Sequence, residues 1–357
     1  MEPEVIEAMD DAARHFVDMA ELAKRAGEIV AEITGAEAGL VTAGAAAALA
    51  FAAAGCMTGK DPAKISRLPD TTGMKNEIVL QRKHRNPHDH HLRVSGAKLV
   101  EVGNIFRTSP WEIEAAINDR TAALAYFIYD PLPGTLPMQD MIEVAHRYGL
   151  PIIVDAAAEV PPYENLGGYT SMGADLVAFS GGKAISGPND TGILIGRKDL
   201  IEACAMNAFP ENYPTRIDTF GIGRTMKVSK EQIVGFVVAL QRYAKRDHKA
   251  DMKRWTEIAE LMAKELSALP HVQAKVVILE QNPRPICIPK TEVTLDEKSL
   301  GITTSDVVNE LINGEPRIAV VYWPAYHKSM YLNPQCLLEG EERIVVGRIK
   351  EILTGRK

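Results

Sequence analysis

Apolar positions recur along this chain with two different periods. Residues 4–34 follow a helical period, with Phe16, Val17, Ala20, Ala23, Gly27 and Val30 near one face, which predicts an N-terminal helix. The uncharged run from Ala38 to Gly59 predicts a turn and then a buried helix starting near Gly44; its alanines supply too little transfer energy for a membrane span. Beyond residue 77 strands and helices alternate. IVLQR (78–82), KLVEVG (98–103), AALAYFIYD (122–130), LPIIVDAAA (150–158), ADLVAFS (174–180) and TGILIGR (191–197) predict strands. SPWEIEAAIND (109–119) predicts a helix with Ser109 as N-cap and Pro110 in its first turn, and MQDMIEVAHRYG (138–149) one that stops at glycine.

This alternation predicts an α/β fold with a mostly parallel sheet covered by helices on both faces. Ligands of such sheets sit outside the carboxyl ends of the strands. The positions of interest are therefore Arg82–Asn86, Asn104–Arg107, Asp130, Asp155 and Ser180–Lys183. After about residue 228 the pattern changes to long helices (228–247 and 249–268), short strands (VQAKVVIL, RPICIP, RIAVVYW) and a last helix near 340–354. The expected organisation is a helical segment over 1–35, a large α/β domain over 36–245 and a smaller α+β domain over 246–357.

Composition narrows the partners. The 357 residues include 40 basic and 47 acidic side chains, a net charge of −7. Proteins that grip nucleic acid or an anionic membrane usually show a basic balance, so neither partner is expected. The four cysteines form no CxxC pair, which argues against a zinc site or a disulfide framework and for a reducing cytoplasm. The acidic N-terminus lacks the basic and apolar regions of a signal peptide.

Three features carry candidate chemistry. Lys183 lies one turn past a strand, among Gly181, Gly182 and Gly187; a partly buried lysine there forms a Schiff base with a carbonyl. Alone, it reads more readily as a surface loop lysine. Asp155 ends an apolar strand, and a buried carboxylate needs a partner, whether a pyridinium nitrogen or a structural cation. TAGAAAA (42–48) is a strand-to-helix turn whose free N–H groups at Gly44, Ala45 and Ala46 suit a phosphate, to which Ser180 adds a hydroxyl. The order of phosphate turn, aspartate and S-x-x-K lysine on alternating strands and helices is that of fold type I pyridoxal phosphate (PLP) enzymes. No GxxxxGK[ST] and no GxGxxG follows the first strand.

FSGGKAISGPNDTGILIGRKDLI, SGAKLVEVGNIFRTSPWEIEAAINDRTAAL and GRTMKVSKEQIVGFVVAL resemble the bacterial selenocysteine synthase (L-seryl-tRNA selenium transferase) family over roughly residues 20–245. The resemblance implies Lys183 as the Schiff base, Asp155 as the partner of the pyridine nitrogen, and a homodimer at least. Two departures point away from tRNA. The phosphate turn comes too early for an added N-terminal region, and GGK replaces an acidic residue before the lysine. QRKHRNPHDHHLRV resembles instead the D-glucosaminate-6-phosphate ammonia-lyase-like branch, which implies a PLP-dependent lyase acting on a small hydroxy-amino acid. Racemisation or epimerisation, selenium transfer on seryl-tRNA and a non-enzymatic PLP-binding role are the alternatives.

The remaining candidates follow strand ends. Arg82, Lys83, His84 and Arg85 form a basic cluster suited to an anionic substrate, or a solvated loop. His84 or His88 is the candidate to lie over the pyridine ring, and His90 and His91 read as surface or interface residues. Arg107, Arg224, Lys227 and Arg317 are candidate anion binders, with Tyr129 and Glu159 as candidate acids or bases. Trp111, Trp255 and Trp323 read as packing residues.

Overall fold

Asp18 divides the N-terminal helical pattern in two. Its side chain accepts hydrogen bonds from the amides of Ala20 and Glu21, at 2.8 and 3.1 Å, and starts a new helix. The expected single helix is therefore α1 (Pro3–Ala13) and α2 (Met19–Thr34), and Phe16 and Val17 are exposed between them rather than buried. The computed structural model describes residues 1–128, 132–208, 221–278, 287–323 and 328–355. They form two compact units, Met1–Arg246 and Asp247–Lys357.

In the first unit the chain continues through β1 (Ala38–Thr42), α3 (Gly44–Thr58), α4 (Pro62–Arg67), β2 (Glu77–Gln81), α5 (His90–Arg93), β3 (Lys98–Val102), α6 (Pro110–Ala116), β4 (Thr121–Phe127), α7 (Met138–Arg147), β5 (Ile152–Asp155), α8 (Asn165–Ser171), β6 (Leu176–Ser180), β7 (Gly192–Gly196), α9 (Lys198–Ala208) and α10 (Lys230–Lys245). The sheet order is β1-β7-β6-β5-β4-β2-β3. Strands β3, β2, β4, β5 and β6 are parallel to their neighbours, whereas β7 runs antiparallel to both β6 and β1. β2, β4 and β7 are buried along their whole length, as a two-sided sheet requires.

Helix α3 explains the uncharged run. Ala47, Ala48, Ala50, Ala52, Ala53 and Ala54 are buried together with Leu49 and Phe51, so the helix is apolar on every side because it is packed on every side. Its small side chains admit close neighbours: a Cβ on Gly55 would meet Cys204 Sγ of α9 at 2.7 Å. Among the described residues no helix is long and apolar enough to cross a membrane.

The second unit packs α11 (His248–Ser267), α12 (Glu297–Leu300), α13 (Thr304–Asn313) and α14 (Glu341–Thr354) with an antiparallel sheet ordered β10 (Met330–Leu332), β9 (Lys290–Leu295), β8 (Val272–Val277). VQAKVVIL forms β8, but RIAVVYW forms no strand beyond a single bridge from Val321 to Tyr331. RPICIP lies partly outside the described residues, and its remainder is not a strand. Of the tryptophans, Trp255 is buried, whereas Trp111 is 66% exposed and cannot be a packing residue of this chain alone.

Candidate active site

The carboxyl end of β1 leads directly into an uncapped helix start. Ala43 occupies the N-cap of α3 with no side-chain hydrogen bond, and Gly44 takes φ 79°, where an L side chain is strained. Thr42 Oγ1 donates to the Gly44 carbonyl at 2.9 Å and holds the bend. The first-turn N–H groups of α3 thus have no side-chain acceptor, and Ala46 at this end is exposed. Gly192 pairs with Thr42 on one side and Ser180 on the other, which brings the helix start and the lysine loop to the same edge.

Asp155 is the last residue of β5. One carboxylate oxygen accepts from the Ala157 amide at 3.0 Å; the other has no hydrogen-bond partner among the described residues. Burial pushes this carboxyl up from the usual range, against the Ala157 hydrogen bond and the positive charges of His88, Lys183 and His91. All three side chains thus act on the carboxylate through charge. Lys183 sits on the turn after β6, exposed rather than partly buried. Its loop folds back on itself: Ser186 N donates to Lys183 O and Gly187 N to Gly181 O, each at 2.9 Å. A Cβ on Gly182 would lie 2.5 Å from the Asn189 carbonyl oxygen, so this closure needs glycine.

The basic cluster after β2 is not a free patch. His84 is fully buried, its ring edge-on to Tyr126 at 4.5 Å, and neither ring nitrogen has a hydrogen-bond partner among the described residues. Burial lowers its pKa to about 4, so the imidazole is neutral. The imidazoles whose charge acts on Asp155 include those of His88 and His91. Arg82 and Arg85 both pair with Glu101 on β3, and Arg85 also binds Asp89. Lys83 donates to the Pro133 carbonyl. Arg82 and Arg85, both candidate substrate binders, thus already have carboxylate partners in the chain.

Arg107 lies in a turn in which Asn104 Oδ1 accepts from the amides of Phe106 and Arg107, at 2.8 and 3.0 Å. Its exposed side chain has no ion pair among the described residues. Arg224 and Lys227 are exposed on and just after a 3₁₀ turn over Ile222–Met226, and Arg317 is exposed in the second unit. Glu159 is buried shortly after β5. Tyr129 and Asp130 lie outside the described residues. His91, which reads from sequence as a surface or interface residue, is half-buried and acts through charge on Asp155; its spacing of three from His88, which puts two side chains on one helical face, is the sequence signal for it.

These placements fit PLP. The open helix start suits its phosphate, the free oxygen of Asp155 its pyridine nitrogen, and the Lys183 amine its carbonyl.

The aminotransferase class-V family model matches residues 6–305. The D-glucosaminate-6-phosphate ammonia lyase of Salmonella typhimurium is 35% identical over 356 residues, covering 98% of this chain and 90% of that protein. A 5'-C-glycyluridine monooxygenase-decarboxylase from a Streptomyces species is 32% identical over 98% of this chain and 85% of its own length. The L-seryl-tRNA(Sec) selenium transferase of Aquifex aeolicus matches only 57% of this chain, at 26% identity. A solved D-glucosaminate-6-phosphate ammonia-lyase superposes with a TM-score of 0.84 at 34% identity, covering 99% of this chain and 92% of that one. The chain belongs to the aminotransferase class-V family of fold type I PLP-dependent enzymes.

Proposed function

We propose that this enzyme eliminates water from a phosphorylated 2-amino-3-hydroxy acid, and that the product then loses ammonia to give a 2-keto acid. The observation that carries this reading is the grouping of Lys183 with Asp155 at strand ends that also present an uncapped helix start. The full-length likeness to an ammonia lyase named for a phosphorylated amino-sugar acid supports the substrate class.

Bound PLP supplies an electron sink that makes the substrate Cα proton acidic. The residues of the chain do the rest. The first-turn amides of α3 hold the cofactor phosphate. Asp155, through its unoccupied oxygen, holds a proton at the ring nitrogen. The Lys183 amine would take the Cα proton. As the Cβ–O bond breaks, the protonated Lys183 would pass that proton to the departing hydroxyl, which leaves as water. The released enamine takes up water and yields the keto acid and ammonium. Arg107, free of acidic partners among the described residues, binds the substrate's anionic group.

Keto-acid release from phosphorylated 2-amino-3-hydroxy acids tests the reading, and Lys183→Ala should abolish it. Undiminished release by that variant would refute the assignment. The monooxygenase-decarboxylase relative favours a second outcome from the same Cα chemistry, oxidative loss of carboxylate with dioxygen as oxidant. Oxygen uptake with carbon dioxide release, in place of ammonia, would select it.

A further inference from the structure

Arg85, a candidate substrate binder in the sequence, braces its own turn through Asp89. Asp89 is 2% exposed, at the end of a 3₁₀ turn over Pro87–Asp89. Its Oδ2 accepts from Arg85 Nε at 2.5 Å and from the Asn86 amide at 3.1 Å, and its Oδ1 lies 3.5 Å from Arg93 Nη2. Asn86 closes the turn from the other side: its Oδ1 accepts from the His88 amide at 2.7 Å and its Nδ2 donates to the His84 carbonyl at 2.8 Å. Arg85 is anchored in turn to Glu101 on β3. A buried carboxylate held by two guanidiniums and a backbone amide fixes its own segment, because each bond satisfies charge that burial would otherwise leave exposed to a low dielectric.

The clamped segment carries two imidazoles. His88 directly precedes Asp89 and His91 follows it in α5, with ring centroids 5.9 Å apart. α5 packs against α3, the helix whose start faces the same site. β2, which leads into this turn, runs parallel to β4, and β4 to β5, so the turn leaves the sheet at the same carboxyl edge as Asp155, and both imidazoles act on that carboxylate through charge. His88 and His90 are exposed and His91 is half-buried, so no burial of their own fixes them; the clamp behind them does.

We propose that Asp89 is a positioning residue for the cofactor site: held by Arg85 and Arg93, it fixes the turn that presents His88 and His91 beside Asp155. This rests on the reading of Asp155 as the partner of the cofactor ring. It assigns the basic run to a brace rather than to substrate. At metal sites, partners behind the ligands contribute about 10- to 100-fold to affinity, and a brace behind an organic cofactor is expected to act at the lower end of that range.

The test compares wild type, Asp89→Asn, the double variant His88→Ala/His91→Ala, and all three changes together. PLP affinity is read by fluorescence titration of the apoprotein, and visible circular dichroism per bound cofactor reports how asymmetrically the ring is held. Asp89→Asn should weaken PLP binding about tenfold and reduce the dichroism, and should add little once both imidazoles are absent. PLP affinity within twofold of wild type in a folded Asp89→Asn would overturn the proposal. So would an effect that persists in full without the histidines, since Asp89 would then act on the fold alone. If Asp89→Asn does not fold, Arg85→Gln/Arg93→Gln carries the same expectations on exposed side chains. A wild-type protein that binds no PLP would instead remove the site assignment, and the proposal with it.

Discussion

Gly192 on β7 touches the start of α3 so closely that a Cβ added to it would lie 2.5 Å from the carbonyl carbon of Gly44 and 2.6 Å from the amide nitrogen of Ala45. Both are backbone atoms, so no side chain can give way. Gly192→Ala should push the helix start away from the strand. PLP affinity should fall about tenfold and stability by ~1–3 kcal/mol, read by cofactor titration and chemical denaturation. Unchanged affinity would mean that the amides of this turn do not hold the phosphate.

Asp155 gives a prediction in which stability and function move in opposite directions. Burial raises its pKa, so the ionised carboxylate costs the folded apoprotein stability at any pH above that raised value. Asp155→Asn should therefore leave the apoprotein at least as stable as wild type at pH 7. That advantage should shrink as pH falls through the raised pKa, where the wild-type group takes up its proton and the penalty disappears. Turnover with PLP should fall at least 100-fold. Melting temperatures across pH 4–8, beside turnover at pH 7, check both halves.

His84 supplies an acid limb to the stability curve. Its folded pKa of about 4 lies below the ordinary 6.5, so the unfolded chain binds the proton more tightly. Stability should be intact above pH 6.5, fall as pH drops toward 4 and lose nothing further to this group below that. The whole effect is about 3 kcal/mol. His84→Leu should flatten this limb in urea titrations between pH 7.5 and 4.5. An unchanged slope would show that the ring is hydrated in solution.

The arginines should separate kinetically. Arg82, already paired with Glu101, should tolerate Arg82→Gln with KM within about threefold of wild type. Arg107→Gln should raise KM tenfold or more for a phosphorylated substrate, as expected on losing a charge-assisted contact. The reverse ranking would place the substrate anion at the β2 turn.

Much of this architecture is legible without coordinates, because a two-sided parallel sheet writes itself as apolar runs spaced by helices. Asp155 and Lys183 could be picked out as polar residues just beyond such runs. What sequence hides is partnership. Arg82 and Arg85 look like a free cationic patch because Glu101 and Asp89, which neutralise them, come later in the chain. Phe16 and Val17 fit a helical stripe, but Asp18 caps a new helix and leaves them in solvent. In the second unit β9 escapes notice because it opens with Lys290 and Thr291, polar residues that are nonetheless fully buried.

The antiparallel placement of β7 also has a consequence for how the site comes into being. β1 meets the sheet only through β7, and Thr42 with Gly192 belongs to the most widely separated strand pairing in the first unit. Closing a longer loop costs more chain entropy, though only by about 0.6 kcal/mol per doubling. The helix start and the lysine turn meet only when that last strand docks. The chain can therefore build most of its parallel core before it owns a place for the cofactor, and a ligand that bridges the two late-arriving pieces acts as the rivet for the step that joins them. Hydrogen exchange on the apoprotein should find β1 and the first turn of α3 opening more readily than β4 and β5, with the difference narrowing once PLP is bound.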